Sequence, residues 1–134
     1  MPLIFIFKIF IQMAPTKQNY ENIGNDFSER ACQTLMQHIH ETHSVFDWAH
    51  HMGISRAHFC RIIKTETGKT PSDCMADIRF HKCNQLLKRD SRYSASFIAE
   101  ELGIRNAKSL CGYIQRHYNT TLTQLRKNAQ SHKP

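Results

Sequence analysis

The sequence predicts an all-α protein made of two helix-turn-helix subdomains that are joined by a central linker helix. Three observations support this prediction. Apolar residues recur at three- and four-residue steps, which is the spacing of one face of an α-helix. Gly53 and Gly103 each end such a segment, and a new helical pattern begins a few residues later. The whole arrangement occurs twice along the chain.

Residues 1–25 are predicted to be an apolar leader followed by a loose arm. The leader, "MPLIFIFKIFIQM", has about ten apolar residues, too few to span a bilayer, which needs roughly 20. Translation from an upstream start codon, with Met13 opening the protein, is the favoured interpretation, and a signal or anchor segment is the alternative. The arm, "APTKQNYENIGN", is polar and has no period.

The first lobe is predicted over residues 26–71. Its first helix begins near Phe27, and its second helix runs from Val45 to Met52 before stopping at Gly53. Ser55 is placed to cap the third helix, because its hydroxyl can accept a backbone N–H. Trp48 falls in the apolar stripe of the second helix and is predicted to lie in the core.

The third helix, within "GISRAHFCRIIKTETG", carries two stripes at helical spacing. Phe59, Ile62 and Ile63 form an apolar stripe that should pack inward. The other stripe is small and basic and should be free to meet a partner; it contains Ala57, Cys60, Arg61 and Lys64.

A single longer helix is predicted from Ser72 to Lys88, within a linker assigned to residues 72–89. At about 1.5 Å per residue it would be roughly 25 Å long. The second lobe is predicted over residues 90–128, and residues 129–134 form a tail.

The internal repeat defines the second lobe. A shift of 50 residues places Val45, Trp48, Ala49, Met52, Gly53 and Ile54 on Ala95, Ile98, Ala99, Leu102, Gly103 and Ile104. One inserted residue in the turn then pairs Phe59, Cys60, Ile62 and Ile63 with Leu110, Cys111, Tyr113 and Ile114. Two copies with the same small and apolar positions indicate one helix-turn-helix used twice.

Charge indicates a polyanionic partner. The chain has 18 Lys and Arg against 11 Asp and Glu, and no acidic residue occurs from Leu102 to Pro134. Nucleic acid fits this bias first and an anionic membrane second. The five cysteines are odd in number and form no C-x-x-C pair, so the sequence predicts a reduced, cytoplasmic chain.

An enzyme, a metal site and a cofactor are not expected. The segment "HIHETH" at residues 38–43 spaces His40 and His43 three apart, whereas a zinc-protease helix needs histidines four apart. No carboxylate pair, Ser-His-Asp set or Gly-rich phosphate loop stands out. The histidines are predicted to be solvated.

Three stretches, "GISRAHFCRIIKTETGKTPSDCMADIRFHKCNQLL", "FIAEELGI" and "LCGYIQRHYNTTLTQLR", carry a resemblance to a known family. From about Phe27 to Lys127 the sequence resembles the DNA-binding domain of the AraC/XylS transcription regulators, especially the compact MarA- and SoxS-like members. The resemblance implies two lobes that insert two recognition helices into successive major grooves on one face of the duplex.

The resemblance also implies which residues face DNA. In the first recognition helix they are Arg56, Ala57, Cys60, Arg61 and Lys64. In the second they are Ala107, Lys108, Cys111 and Gly112, with Arg105 and Arg116 as phosphate contacts. Arg61 is the expected base reader, because Arg bonds bidentately to guanine O6 and N7; a phosphate contact is its alternative role.

The sequence departs from the family pattern in the second lobe. Gly112 stands where the family usually has an Arg, corresponding to Arg61 in the first lobe. Asn119 replaces the usual Gly and Leu122 the usual Pro. We therefore expect the first lobe to carry most of the sequence specificity.

Taken together, these patterns predict a transcription regulator that binds an asymmetric promoter site in double-stranded DNA as a monomer. Activation through RNA polymerase is implied by the resemblance alone. Two alternatives stay open: a basic protein-interaction module that has lost specific DNA reading, and a remnant of a longer regulator whose sensor domain is missing.

Overall fold

The computed structural model describes residues 24–131, and the predicted apolar leader and most of the predicted arm lie outside this range. The described chain is helical and contains no strand, so the all-α prediction is confirmed. The helices are α1 (Gly24–His38), α2 (Val45–His51), α3 (Arg56–Thr67), α4 (Pro71–Arg89), α5 (Ala95–Glu101), α6 (Ala107–Tyr118) and α7 (Leu122–Ser131). A 3-10 turn at Ile39–Glu41 follows α1. The pairs α2–α3 and α5–α6 are the two helix-turn-helix motifs, and α4 is the linker helix between them in sequence.

The chain divides into two compact units. Among the described residues, the first unit contains 24–38 and 44–78, and the second contains 39–43 and 79–131. The short segment 39–43 therefore packs with the second helix-turn-helix motif although it precedes the first in sequence.

The core of the first unit is built around Trp48, as its position in the apolar stripe predicts. Trp48 and Phe59 are fully buried and meet edge to face, with ring centroids 4.9 Å apart. The indole Nε1–H of Trp48 donates a hydrogen bond of 2.9 Å to the carbonyl oxygen of Ala31 in α1. Three helices are thus tied together by one side chain, whose polar atom is satisfied despite its burial.

Arg79 connects several elements of the second unit, as Trp48 does in the first. Its guanidinium is only 5% exposed and donates from Nε to the Leu102 carbonyl at 3.0 Å and from Nη2 to the Thr42 carbonyl at 2.9 Å. These bonds join α4 to the end of α5 and to segment 39–43. The aromatic rings of Phe80 and Tyr118 stack with centroids 3.9 Å apart and pack α4 against α6.

The two turn glycines meet different constraints. Both have a positive φ, +77° at Gly53 and +75° at Gly103, a backbone conformation that favours glycine. A Cβ on Gly53 would meet nothing within 4 Å, whereas a Cβ on Gly103 would collide with the carbonyl oxygens of Ile39 and Thr42. Gly103 is therefore required both for its backbone angle and for the close packing of segment 39–43.

Candidate nucleic-acid interface

The helix α3 forms because both of its ends are capped. The hydroxyl of Ser55 accepts a hydrogen bond from the His58 amide at 3.2 Å, which confirms the predicted N-cap. Gly68, at φ 76°, ends the helix in the left-handed conformation. Phe59 and Ile63 are fully buried and fix which side of α3 faces the core, while Ile62, predicted to pack inward with them, is only half-buried.

The outer side of α3 presents the basic stripe that the sequence predicts. Cys60 is half-buried, and the other predicted residues are exposed: Arg56, Ala57, Arg61 and Lys64. At 100° per residue these five positions fall within an arc of about 140° and extend over about 12 Å of the helix axis. An α-helix with such a face fits the major groove of B-DNA. We call these five residues the α3 face.

The helix α6 repeats this design in the second unit. The side-chain oxygen of Asn106 accepts a hydrogen bond from the Ser109 amide at 2.8 Å and caps the helix. Leu110 and Ile114 are buried and turn the opposite side of α6 outward. The residue after α6, Asn119, caps the helix in the left-handed conformation at φ 52°, in the place that Gly68 occupies after α3.

Four of the six predicted residues of the second lobe share one face of α6, and the other two, Arg105 and Arg116, lie outside it. Lys108, Cys111 and Gly112 are exposed and Ala107 is half-buried, and these four fall within one arc of the helix. We call them the α6 face. Arg105 and Arg116 are also exposed, but Arg105 lies in the turn before α6. The guanidinium carbon of Arg116 lies 5.8 Å from the Tyr113 ring centroid, at the flank of the α6 face.

Gln115 was missed by the sequence reasoning. The offset that pairs Phe59 with Leu110 also pairs Lys64 with Gln115, and this correspondence was the available signal. Gln115 is exposed, and its Nε2 donates to Oδ1 of Asn119 at 3.0 Å. A Gln carboxamide can bond adenine N6 and N7 together, so this side chain has the chemistry of a base reader.

The glycine at position 112 is not required by packing. A Cβ there would meet nothing within 4 Å, and the residue lies in the helix interior with no positive φ. The α6 face thus has open space for a Cβ at the position where the α3 face has Arg61. Its glycine lowers helix stability by about 1 kcal/mol relative to alanine.

The cysteines separate into two groups. Burial raises the pKa of the Cys32 thiol to about 12 and the pKa values of the Cys74 and Cys83 thiols to about 11. Buried, protonated thiols of this kind are poor nucleophiles. Cys60 and Cys111 instead occupy equivalent places on the α3 and α6 faces, and all five cysteines are unbridged.

The described residues contain neither a metal-binding cluster nor a membrane-spanning helix. Within residues 24–131 no group of three or more His, Cys, Asp and Glu side chains is arranged to hold a metal ion. None of the helices described here has the length and hydropathy that a membrane crossing requires. His38 and His51 stack with centroids 4.8 Å apart, at the ends of α1 and α2.

Comparison with known proteins agrees with the fold. Residues 48–128, more than half of the chain, match the family model of a helix-turn-helix domain. No curated protein sequence matches the chain significantly. A transcriptional regulator from Chromobacterium violaceum, described as an AraC-type DNA-binding domain-containing protein, is similar in fold, with a TM-score of 0.63 and 24% identity over 77% of this chain and 91% of that one.

A second solved structure is similar over most of its length. It is the DNA-binding domain of AdpA, a global transcriptional factor, in complex with a target DNA. The two chains are 25% identical, and the superposition has a TM-score of 0.65 and covers 78% of this chain and 94% of that one. The family match covers both helix-turn-helix motifs, from Trp48 in α2 to Asn128 in α7. The chain therefore belongs to the AraC/XylS family of helix-turn-helix, DNA-binding transcription regulators.

Proposed function

We propose that the chain binds an asymmetric promoter site as a monomer, with α3 and α6 each entering a major groove, and that it activates transcription through RNA polymerase in the cytoplasm. The observation that carries this proposal is the presence in one chain of two capped helices with outward faces of groove size. The similar DNA-binding domain of AdpA is in complex with a target DNA, which supports DNA binding by this chain.

The asymmetry of the site follows from the unlike chemistry of the two faces. The α3 face offers Arg61 and Lys64, whereas the corresponding positions of α6 are Gly112 and Gln115. Two half-sites read by different side chains have different sequences, so a palindrome is not needed. A symmetric dimer elsewhere uses two identical helices to read two identical half-sites.

Selection from a random-sequence DNA library with the full chain tests the recognition. We expect a non-palindromic motif spanning about 20 base pairs, because half-sites lie about one helical turn apart. Mass photometry of the complex should give one chain per duplex. A palindromic motif with two chains per duplex would contradict the monomer.

Activation is tested by transcription in vitro from a promoter that contains the selected motif. We expect the chain to increase the transcript formed by RNA polymerase, and a promoter with a scrambled motif is the control. A decrease in transcript would make the chain a repressor at that promoter. The same DNA should be bound equally well in the absence of polymerase.

Gly112 favours a second candidate function, a basic protein-interaction module without specific DNA reading. On that hypothesis the α6 face lacks an Arg because it does not read bases. The library selection separates the two candidates, since the module would enrich no motif and would bind all duplexes with the same salt dependence.

A further inference from the structure

A cavity of about 610 Å³ opens on the second unit, beside the flank of α6 that carries Arg116. Its volume is within the range of small-molecule sites, roughly 300 to 1,000 Å³. Three of its lining residues are arginines, Arg79, Arg105 and Arg116, and His43 also lines it. The lining residues, all within the described chain, include no acidic side chain. We call this site the arginine cavity.

Arg79 gives the cavity a fixed positive charge. It is almost fully buried, and its Nε and Nη2 atoms donate to the carbonyl oxygens of Leu102 and Thr42. Carbonyl oxygens are neutral, so these bonds orient the guanidinium without cancelling its charge. A buried cation held in this way stabilises an anion placed nearby, because the local dielectric is lower than that of water.

The other side chains add directed polar groups and an apolar wall. The guanidinium carbons of Arg79 and Arg116 lie 5.2 and 5.8 Å from the ring centroid of half-buried Tyr113. Exposed Ser109 and Arg105 bring a hydroxyl and a further guanidinium to the cavity. A guanidinium fork matches the oxygens of a carboxylate or a phosphate.

We propose that the arginine cavity binds a small organic anion, a carboxylate or phosphate group carried on an apolar body. The anionic group lies among the guanidiniums, and the apolar body packs against the Tyr113 ring. Because Arg105 and Arg116 are also the expected phosphate contacts, the bound anion competes with the DNA backbone for them. This competition rests on the proposed function, whereas binding of the anion does not.

Nuclear magnetic resonance of the ¹⁵N-labelled, DNA-free chain tests the site directly. Phenyl phosphate and benzoate are the probes, and sodium chloride at equal ionic strength is the control. We expect saturable shifts of the amides of Gly103, Ser109 and Tyr113 with at least one probe, and comparison of the two identifies the preferred anionic group. Shifts that do not saturate, or that sodium chloride reproduces, would overturn the proposal.

Two substitutions on α6 distinguish binding of the probe in the cavity from non-specific attraction of the probe to positive charge. Arg116→Gln removes a cavity guanidinium, and Lys108→Gln removes an exposed charge from the same helix outside the cavity. Loss of a charge-assisted hydrogen bond should weaken binding of the preferred probe by about tenfold in Arg116→Gln. Lys108→Gln should retain the affinity for the probe. Equal affinities in both variants would show that the cavity is not the site.

A gel shift on the selected DNA motif tests the competition. At constant ionic strength, the preferred probe should weaken DNA binding by the original chain and have less effect on Arg116→Gln. DNA affinity that does not respond to a probe known to bind would overturn the competition. Failure of the chain to bind any selected DNA would instead overturn the proposed function, and the anion site would stand on the magnetic resonance result.

Discussion

Among the exposed side chains of the α3 face, Arg56 and Arg61 both carry the guanidinium fork that can read a base, and Arg61 lies nearer the middle of the helix. It lies two helical turns before the glycine cap at Gly68 and is flanked by small Ala57 and Cys60, which allow close approach to the groove. Lys64 carries a charge but has no fixed fork of donors, so it is better suited to a phosphate.

Replacing Arg61 by Ala should weaken binding to the selected motif by at least tenfold while largely sparing random DNA. The loss corresponds to about 1.4 kcal/mol, within the range measured for one bidentate contact to guanine. A competition gel shift with both duplexes measures the ratio. Lys64→Ala is the matched control and should weaken both alike. An equal loss on both duplexes in Arg61→Ala would reduce Arg61 to a phosphate contact.

Glycine at positions 112 and 103 should respond in opposite ways to the same substitution. Gly112→Ala should stabilise the chain by up to about 1 kcal/mol, because alanine is the better helix former and the added Cβ has open space. Gly103→Ala should destabilise it by more than that, because its positive φ is unfavourable for alanine and the Cβ would meet two carbonyl oxygens.

Urea unfolding, followed by circular dichroism, gives the free energies of unfolding of both glycine variants. Both variants make the same Gly→Ala substitution, so a difference between their free energies of unfolding reflects the backbone geometry and surroundings of each position. Each variant is therefore a control for the other. A destabilised Gly112→Ala would mean that the glycine is needed for a close approach within the folded chain. Gly112→Arg, with the same open space, then tests whether an arginine increases affinity for DNA.

At the scale of elements, the sequence predicted most of the fold because helical periodicity and caps are local signals. The helix α3 begins directly after the predicted cap at Ser55, whereas the Asn106 and Asn119 caps of α6 were not predicted. Arg79 and segment 39–43 were not predicted, because hydrogen bonds between residues 23 and 37 positions apart have no periodic signature. The residues of the α3 face and the α6 face were predicted from the family resemblance. Their contacts with DNA stay a prediction.

The cap of α6 provides a test at this scale. Replacing Asn106 by Ala should cost about 1 kcal/mol of unfolding free energy, because the Ser109 amide loses its acceptor. Asn106→Ser should retain most of the stability, since Ser is also a good cap, as at Ser55 before α3. Chemical denaturation compares the three chains. Equal destabilisation by Ala and Ser would point to a role of the Asn106 amide other than capping.

At the scale of the whole molecule, three of the five cysteines lie in the cores of the two units. Cys32 and Cys74 belong to the first unit and Cys83 to the second. Their raised pKa values mean that the folded chain keeps these thiols protonated at pH values where the unfolded chain ionises them. The unfolded chain then binds fewer protons than the folded one, and the stability of the fold is linked to pH.

This linkage predicts that the chain loses stability as the pH rises from about 9, where the unfolded thiols ionise, towards 11, the lower of the folded values. Stability from the thiols is fully present below pH 9. Each thiol should contribute up to about 1.4 kcal/mol of lost stability per pH unit in this window. Urea unfolding between pH 8 and 10.5 measures the slope of unfolding free energy against pH.

Cys32→Ala removes one buried thiol and should reduce this slope by up to that amount, whereas Cys111→Ala, at an exposed position, should leave it nearly unchanged. The same slope in all three chains would show that the buried thiols do not govern alkaline unfolding.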